Sequence, residues 1–250
     1  MADGKDSGAE MSFWDHLDVL RGTIFRSILA VLLASILGFV FKDILFGFIL
    51  APSRSGFCVY ELLGWDITMT LVNVDVSAQF FAHLRAAVSV GLVVAFPYII
   101  WELWRFIAPA LYNKEKKSVG RAFLLASFLF YAGVAVGYFL VLPVCVQFFM
   151  NYTVSPEIAN TITLNSYMSL FMSTVLMIGI VFEFPTLIVI LSHIGLVTRK
   201  FLRKGRRYAI VVVLVISAIV TPADPLSMIV VAIPLYALYE IAILCCKKSE

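Results

Sequence analysis

The sequence predicts an all-α membrane protein whose helices cross the bilayer several times. Of its 250 residues, 62% are hydrophobic and only 14% are charged, whereas soluble domains carry about a quarter charged residues. Long apolar runs recur along the chain, and short clusters of lysine and arginine separate them. Such a chain has more apolar surface than a water-facing globule can bury. We therefore expect one polytopic membrane domain over residues 1–250.

Six apolar runs are candidates for membrane-spanning helices, because a helix needs about 20 apolar residues to cross the hydrocarbon core. They lie near residues 22–41, 86–105, 121–149, 165–192, 208–221 and 226–246. Only four residues separate the last two runs, and Pro222 and Pro225 among them predict a turn. The fifth run has 14 residues and would cover about 21 Å, which is less than the thickness of the core.

Lysine and arginine predict which side of the membrane each segment faces, because they accumulate on the cytoplasmic side. Most of them fall in the amino segment 1–21, the loops 106–121 and 199–207, and the tail 247–250. The opposite side holds Lys42 and Arg54, with Arg85 near a span end. Both termini are therefore expected in the cytoplasm.

Two segments outside the spans have features of their own. Phe13, Leu17, Leu20 and Ile24 recur at helical spacing before the first span, which predicts a short helix lying on the cytoplasmic interface. The stretch 53–80 is the longest external segment. It contains several serines, glycines and aspartates, and we expect it to form a folded cap rather than a simple loop.

Glu183 lies in the middle of the fourth span, where a carboxylate is costly. No lysine or arginine is near it in its own helix, and Pro185 follows two residues later. One interpretation is a neutral carboxyl that satisfies a backbone carbonyl freed by the proline. The alternatives are a proton relay and a docking point for a polar residue on a partner helix.

Glu115 is the only acid in the lysine-rich segment 112–117. A lone acid among lysines is usually a solvated loop residue. The alternative is that its carboxylate accepts an arginine side chain through a bidentate pair.

Three further positions are candidates for structural or functional roles. Asp224, in the turn before the sixth span, is placed to cap that helix. Glu240 lies 16 residues further along and should reach the cytoplasmic interface facing the bundle. Pro52 comes directly before the external segment.

Several classes of function are disfavoured by what the sequence lacks. His16, His83 and His193 match no metal-ligand spacing, and the four cysteines form no CxxC pattern. No nucleophile elbow, HExxH pair or glycine-rich phosphate loop is present, so we expect no catalytic site, metal or cofactor. The formal charge of +3 is small and the basic residues form no single patch, which disfavours nucleic-acid binding.

Several short stretches, taken in order, resemble the TatC family, the multi-spanning subunit of the twin-arginine protein translocase. They are residues 16–21 before the first span, 106–112 followed by Glu115, 182–185 in the fourth span, 221–224 before the sixth span, and 232–234 with Glu240 within it. Any one of them is a weak signal. Their order on a six-span chain with both ends inside is specific.

The resemblance implies a concave, cradle-like bundle in the bacterial inner membrane. It implies a receptor subunit that binds signal peptides carrying two consecutive arginines and passes folded proteins outward, with the proton motive force as energy source. It also implies a hetero-oligomer, surrounded by membrane lipid, with single-span TatA-type partners, and leaves a TatB-type partner open.

The resemblance also implies roles for individual residues. Glu115 is similar to the family's main acidic contact for the arginine pair, and Phe106, Asp18 and Arg21 would belong to the same site. The family has a glutamate immediately before the Leu-Arg of the amino segment, whereas this chain has Val19 there and Asp18 one place earlier. One residue corresponds to a rotation of about 100° on a helix, so Asp18 need not point where that glutamate does.

Glu183 separates the leading hypothesis from its main alternative. In the TatC resemblance it corresponds to an intramembrane glutamate that meets a polar group on the partner's helix. In the alternative, the chain is a proton-coupled carrier with Glu183 as the proton site. A carrier should carry several ionisable residues along one intramembrane path. A membrane enzyme ranks third, because no nucleophile and base are seen together.

Overall fold

The computed structural model describes residues 13–65, 67, 69–108, 113–155, 157, 160–221 and 225–246. Within these ranges the chain is almost entirely helical. In chain order the elements are α1 (Phe13–Val40), α2 (Lys42–Ile49), a 3-10 turn (Ala51–Ser53), α3 (Cys58–Leu63), β1 (Leu71–Val72), α4 (Ala78–Ile107), α5 (Asn113–Val136), a π-helical turn (Gly137–Val141), α6 (Leu142–Asn151), β2 (Ile162–Thr163), α7 (Leu164–Val181), α8 (Phe184–His193), α9 (Arg199–Lys204), α10 (Arg206–Val220) and α11 (Pro225–Cys245).

Five stretches of the described chain are long and apolar enough to cross a membrane. They are Leu17–Val40, Ala78–Ile107, Ala122–Asn151, Leu164–Ser192 and Ser227–Leu244. These stretches match the first four predicted spans and the sixth, and they confirm an all-α membrane fold. The fifth predicted span corresponds to α10, which has 15 residues and a length of about 22 Å. It is as short as the sequence predicted.

Small residues hold α1 and α4 close together. The two helices run antiparallel, with Gly38 against Ala87 and Ser35 against Gly91. A Cβ atom on Gly91 would collide with Ser35, so no larger residue fits there without moving the helices apart. Interfaces of this kind are common between membrane helices, because small side chains let the backbones approach closely.

Prolines interrupt two of the long apolar stretches. Pro143 follows the π-helical turn that separates α5 from α6. Pro185 is the second residue of α8 and comes directly after the break between α7 and α8. Because proline has no N–H and its ring clashes with the preceding turn, the fourth predicted span is two helices rather than one. Glu183 lies at their junction.

The described residues between Lys42 and Ser77 fold over one end of the bundle, which we call the cap end. Three tyrosines fix this segment by donating hydrogen bonds to its backbone carbonyls: Tyr60 to Pro52 at 2.7 Å, Tyr138 to Phe48 at 2.8 Å and Tyr167 to Ile49 at 2.6 Å. Burial raises the pKa of the Tyr60 hydroxyl, so it stays a protonated donor. Leu71 of β1 pairs in parallel with Ile162 of β2. The expected folded cap is present, and it begins earlier in the chain, at α2.

The opposite end of the bundle, which we call the basic end, is held by two apolar clusters. Val119 and Phe123, near the start of α5, pack with Ile190, near the end of α8. Leu202 of α9 packs with Ile188 of α8 and with residues at the end of α11. Most lysines and arginines of the chain belong to these segments or to the loops beside them. The two ends of the bundle therefore differ in charge, as the sequence predicted.

Two local predictions are wrong. α1 is one helix from Phe13 to Val40, because no proline interrupts the helical pattern there, so the amino segment is not a separate short helix. α5 begins at Asn113, eight residues before the predicted third span. Glu115 therefore lies in the first turn of a helix rather than in a loop. The tail 247–250 lies outside the described residues.

Candidate functional site

Four residues that the sequence assigns to signal-peptide binding lie near three helix ends. Asp18 and Arg21 are near the start of α1, Phe106 is in the last turn of α4, and Glu115 is in the first turn of α5. Phe106 is half-buried. The side chain of Glu115 and the connecting residues 109–112 lie outside the described part of the structure.

The packing of α1 against α4 brings two of these ends to one level of the bundle. Arg26 of α1 contacts Glu102 of α4. Because the helices are antiparallel, five residues back on α1 correspond to five residues forward on α4. Arg21 therefore lies at the level of Phe106 and Ile107, and the start of α1 continues past the end of α4.

The packing of α5 against α4 brings the third end to the same place. The ring of Trp104 lies against Gly120, and its centroid is 5.4 Å from that of the Phe123 ring. Glu115 is five residues before Gly120, which corresponds to about 7.5 Å along the helix axis. The first turn of α5 is thus close to the last turn of α4.

The start of α1 presents Asp18 and not Val19 to solvent. Asp18 and Arg21 are exposed, whereas Val19 is half-buried. Within the described part of the chain, neither Asp18 nor Arg21 forms an ion pair. The position at which the TatC resemblance expects a glutamate therefore holds a half-buried valine, and the nearest acid faces water.

An ion pair inside the bundle joins α1 to α4 just below these helix ends. Arg26 donates from Nε and from one terminal nitrogen to Oε2 of Glu102, at 2.9 and 2.7 Å. Tyr98 donates to the other carboxylate oxygen at 3.1 Å. Glu102 is only 2% exposed, so both of its oxygens are satisfied within the protein.

This pair is not among the residues predicted from the sequence, although the sequence carries a signal for it. Arg26 and Glu102 are opposite charges inside the first and second predicted spans. Charged residues within spans are rare and usually pair with one another. The two predicted spans were also neighbours in an antiparallel order, so a partner for each charge could have been sought in the other.

Glu183 occupies the junction between α7 and α8. Its carboxyl lies beside Thr186 and the backbone of Phe130 in α5, and its Oε1 atom is buried without a hydrogen-bond partner among the described residues. Met177 and Ile180, on the preceding turns, are 38% and 49% exposed. The Oε1 acceptor is therefore unused within the described part of the chain.

The remaining predicted residues have separate locations. Glu240 lies at the basic end, where its carboxylate accepts from Arg206 at 2.6 Å and from Tyr236 at 3.2 Å. It therefore ties α11 to the start of α10. Pro52 is buried in the cap and accepts the hydrogen bond from Tyr60. Asp224 lies outside the described residues. Within the described ranges no group of histidine, cysteine and acidic residues could hold a metal ion.

Comparison with known families decides the identity of this helix arrangement. The family described as Sec-independent protein translocase protein (TatC) matches residues 15–234. The chain belongs to the TatC family. It is accordingly a multi-pass membrane protein and a component of a twin-arginine protein translocase.

Individual TatC proteins match over nearly the whole chain. The Sec-independent protein translocase protein TatC of Blattabacterium sp. subsp. Periplaneta americana is 33% identical over 255 residues, which cover 96% of each protein. The Escherichia coli K12 protein of the same description is 33% identical over 229 residues, covering 91% of this chain and 85% of that protein.

A solved TatC structure has the same fold. The crystal structure of the twin arginine translocase receptor TatC in DDM matches with a TM-score of 0.77 at 31% identity. The match covers 93% of this chain and 99% of that one. The overall helix arrangement is therefore one that a TatC crystal structure shares.

Proposed function

We propose that this chain is the receptor subunit of its translocase and binds the paired arginines of signal peptides at the basic end of the bundle. This end would face the cytoplasm of the bacterial inner membrane. The observation that carries the proposal is the meeting of three helix ends, those of α1, α4 and α5, with the backbone of Glu115 in the first turn of α5. A similar protein is described as a translocase receptor.

Glu115 is the residue proposed to accept an arginine. Lysines flank it at 114, 116 and 117. Because these lysines repel a cationic peptide, binding here requires a carboxylate that offsets the repulsion. A guanidinium can donate two parallel hydrogen bonds to one carboxylate, whereas an ammonium group acts as a point charge. A negative charge is also favoured in the first turn of a helix by the helix dipole. These properties favour arginine over lysine at equal charge.

The other helix ends supply the rest of the proposed site. Phe106, half-buried in the last turn of α4, offers an apolar contact beside the acid. Asp18 offers a second, solvent-facing carboxylate, and Arg21 lies one turn further along the same exposed stretch of α1. Because exposed ion pairs contribute little, we assign the larger share of binding to Glu115.

Glu183 is the proposed contact for a single-span partner of the TatA type, with a TatB-type partner left open. Its buried, unpaired Oε1 can accept a hydrogen bond from a polar side chain on an approaching helix. A proton carrier would need further titratable groups along a path from Glu183. The other buried acid, Glu102, is already held by Arg26, which favours partner docking.

The experiment that tests receptor function is co-purification with a signal peptide. The detergent-solubilised full chain is incubated with an Arg-Arg signal peptide or with its Lys-Lys variant, which has the same net charge. We expect retention of the Arg-Arg peptide and loss of the Lys-Lys peptide. Equal retention of both would mean that charge alone attracts the peptide, and would contradict arginine-specific recognition.

A further inference from the structure

A groove beside α9 and α10, at the basic end, has properties that the proposed receptor function does not use. Its volume is about 580 Å³ and its walls are almost entirely apolar. Phe184, Phe201, Tyr208 and Val212 are among the residues that line it. The side chains of Phe201 and Tyr208 are 70% and 77% exposed, so the groove opens on the outer surface of the bundle.

Basic residues belong to the helix segments that form this groove. Lys204 lines it, and Arg203 and Arg207, next in sequence to the lining residues Lys204 and Tyr208, are exposed. The chain has no aspartate or glutamate between Glu183 and Asp224. Glu240, which packs nearby, is already paired with Arg206. A negatively charged ligand would therefore meet several cations that lack an internal partner among the described residues.

The groove has the dimensions of a ligand site rather than of a helix-docking face. From Gly205 to Val213, both in its lining, α10 rises about 12 Å, which is the length of part of a lipid acyl chain. Its volume falls within the range of about 300–1,000 Å³ that is typical of ligand pockets. A whole helix, about 10 Å wide, would cover the groove without entering it.

We propose that this groove, which we call the lipid groove, binds an anionic phospholipid of the surrounding membrane. One acyl chain would lie along α10 between Phe184 and Tyr208, and the headgroup phosphate would pair with Lys204 and Arg207. Basic pockets between membrane helices recognise lipid headgroups in this way. Aromatic side chains at the level of the headgroups are typical of the membrane interface. The bound lipid would fix the short helix α9 against the bilayer surface.

The test is native mass spectrometry of the purified full chain, titrated with phosphatidylglycerol or with phosphatidylcholine of the same acyl chains. We expect the wild-type chain to retain phosphatidylglycerol preferentially. The double substitution Lys204→Gln/Arg207→Gln should lower that retention by about tenfold or more, because each cation near an anionic headgroup contributes to binding. Removal of two cations at the cap end, Lys42→Gln/Arg54→Gln, is the matched control and should change nothing.

A second pair of variants tests the groove itself. Val212→Trp adds bulk at a residue that lines the lipid groove and should reduce phosphatidylglycerol retention as well. Val211→Trp adds the same bulk at the adjacent residue of α10, which does not line the groove, and should leave retention intact. Equal retention of the two lipids, or retention that Val212→Trp does not lower, would overturn the proposal. Loss of a co-purifying single-span protein in Val212→Trp with lipid retention unchanged would also overturn it, in favour of a helix-docking site.

Discussion

The ion pair of Arg26 and Glu102 stabilises the contact between α1 and α4. The carboxylate of Glu102 is 2% exposed, so removing Arg26 would leave a buried charge without its cation, which is destabilising. Arg26→Met should therefore lower the thermal stability of the detergent-solubilised chain strongly. The double variant Arg26→Met/Glu102→Leu should recover most of the loss, since it leaves no charge behind.

The measurement for this pair is the midpoint of aggregation on heating, followed by size-exclusion chromatography. Arg21→Met is the matched control, because Arg21 lies on the same helix and is exposed. A double variant that is as unstable as Arg26→Met would show that the arginine acts through packing and not through its charge.

The partner-docking and proton-carrier hypotheses predict different relative activities for the Gln and Ala variants of Glu183. If the side chain accepts or donates a hydrogen bond to a partner helix, Glu183→Gln should be tolerated better than Glu183→Ala, because an amide still forms hydrogen bonds. Alanine would weaken association by about 1–2 kcal/mol. If Glu183 carries protons, both substitutions should abolish export equally, because neither side chain titrates.

Crosslinking inside the membrane separates these outcomes. A photoreactive group at Ile180, which is 49% exposed beside Glu183, should reach the partner's single helix in the wild type and in Glu183→Gln, and much less in Glu183→Ala. Equal crosslinking in all three proteins, with export lost in both variants, would favour the carrier.

An individual functional residue could be predicted where its side chain is energetically unfavourable in its sequence context. Glu183 could be identified because an acid inside an apolar run needs an explanation. Arg26 and Glu102 carry the same kind of signal, but it points to a partner only when the charges of two neighbouring spans are considered together. The direction in which Asp18 points was also not predictable. It depends on α1 being one continuous helix, whereas the sequence predicted a separate short helix before the first span.

At the scale of elements, the α1–α4 interface depends on the absence of a side chain at Gly91. Gly91→Leu would collide with Ser35, and overpacking of this kind typically costs about 1–3 kcal/mol. We expect a lower thermal midpoint for the solubilised chain. Gly47→Leu is the matched control, since a Cβ there has nothing within 4 Å; equal loss in both variants would contradict close packing at Gly91.

The helices themselves were largely predictable, and their interruptions were not. Hydropathy identifies α1, α4, α7 and α11 because the bilayer requires a minimum apolar length. Hydropathy does not show whether a proline within such a run breaks the helix or bends it. The outcome depends on whether neighbouring helices supply hydrogen-bond partners for the freed backbone groups. The break before Pro185 and the π-helical turn before Pro143 are therefore features of the packed bundle.

For the whole molecule, the charge difference between the two ends of the bundle predicts its orientation. Tags at either terminus should resist protease added to sealed, right-side-out cells, because the start of α1 and the end of α11 both lie at the basic end and this end is expected in the cytoplasm. A protease site inserted at Gly56, an exposed residue of the cap, should be cut. External cleavage of a carboxyl-terminal tag would contradict the six-span orientation.

For the architecture as a whole, the sequence predicts the fold class and the family better than it predicts the contacts between helices. The all-α membrane class and the TatC relationship could be predicted, because composition and motif order reflect the entire chain. The TatC resemblance also predicts which residues share one site, but the contacts that bring α1, α4 and α5 together, such as Trp104 against Gly120, could not be predicted because they have no signature in a single sequence.

The central claim, recognition of paired arginines by Glu115, is tested most directly by the affinity of an Arg-Arg signal peptide for the purified chain. Glu115→Gln removes the charge and keeps the size, so affinity should fall by about 1.5–3 kcal/mol if the pair is charge-assisted and partly desolvated. Glu61→Gln, which removes an exposed acid from the cap, should bind like the wild type. Undiminished affinity in Glu115→Gln, with export intact, would contradict the account.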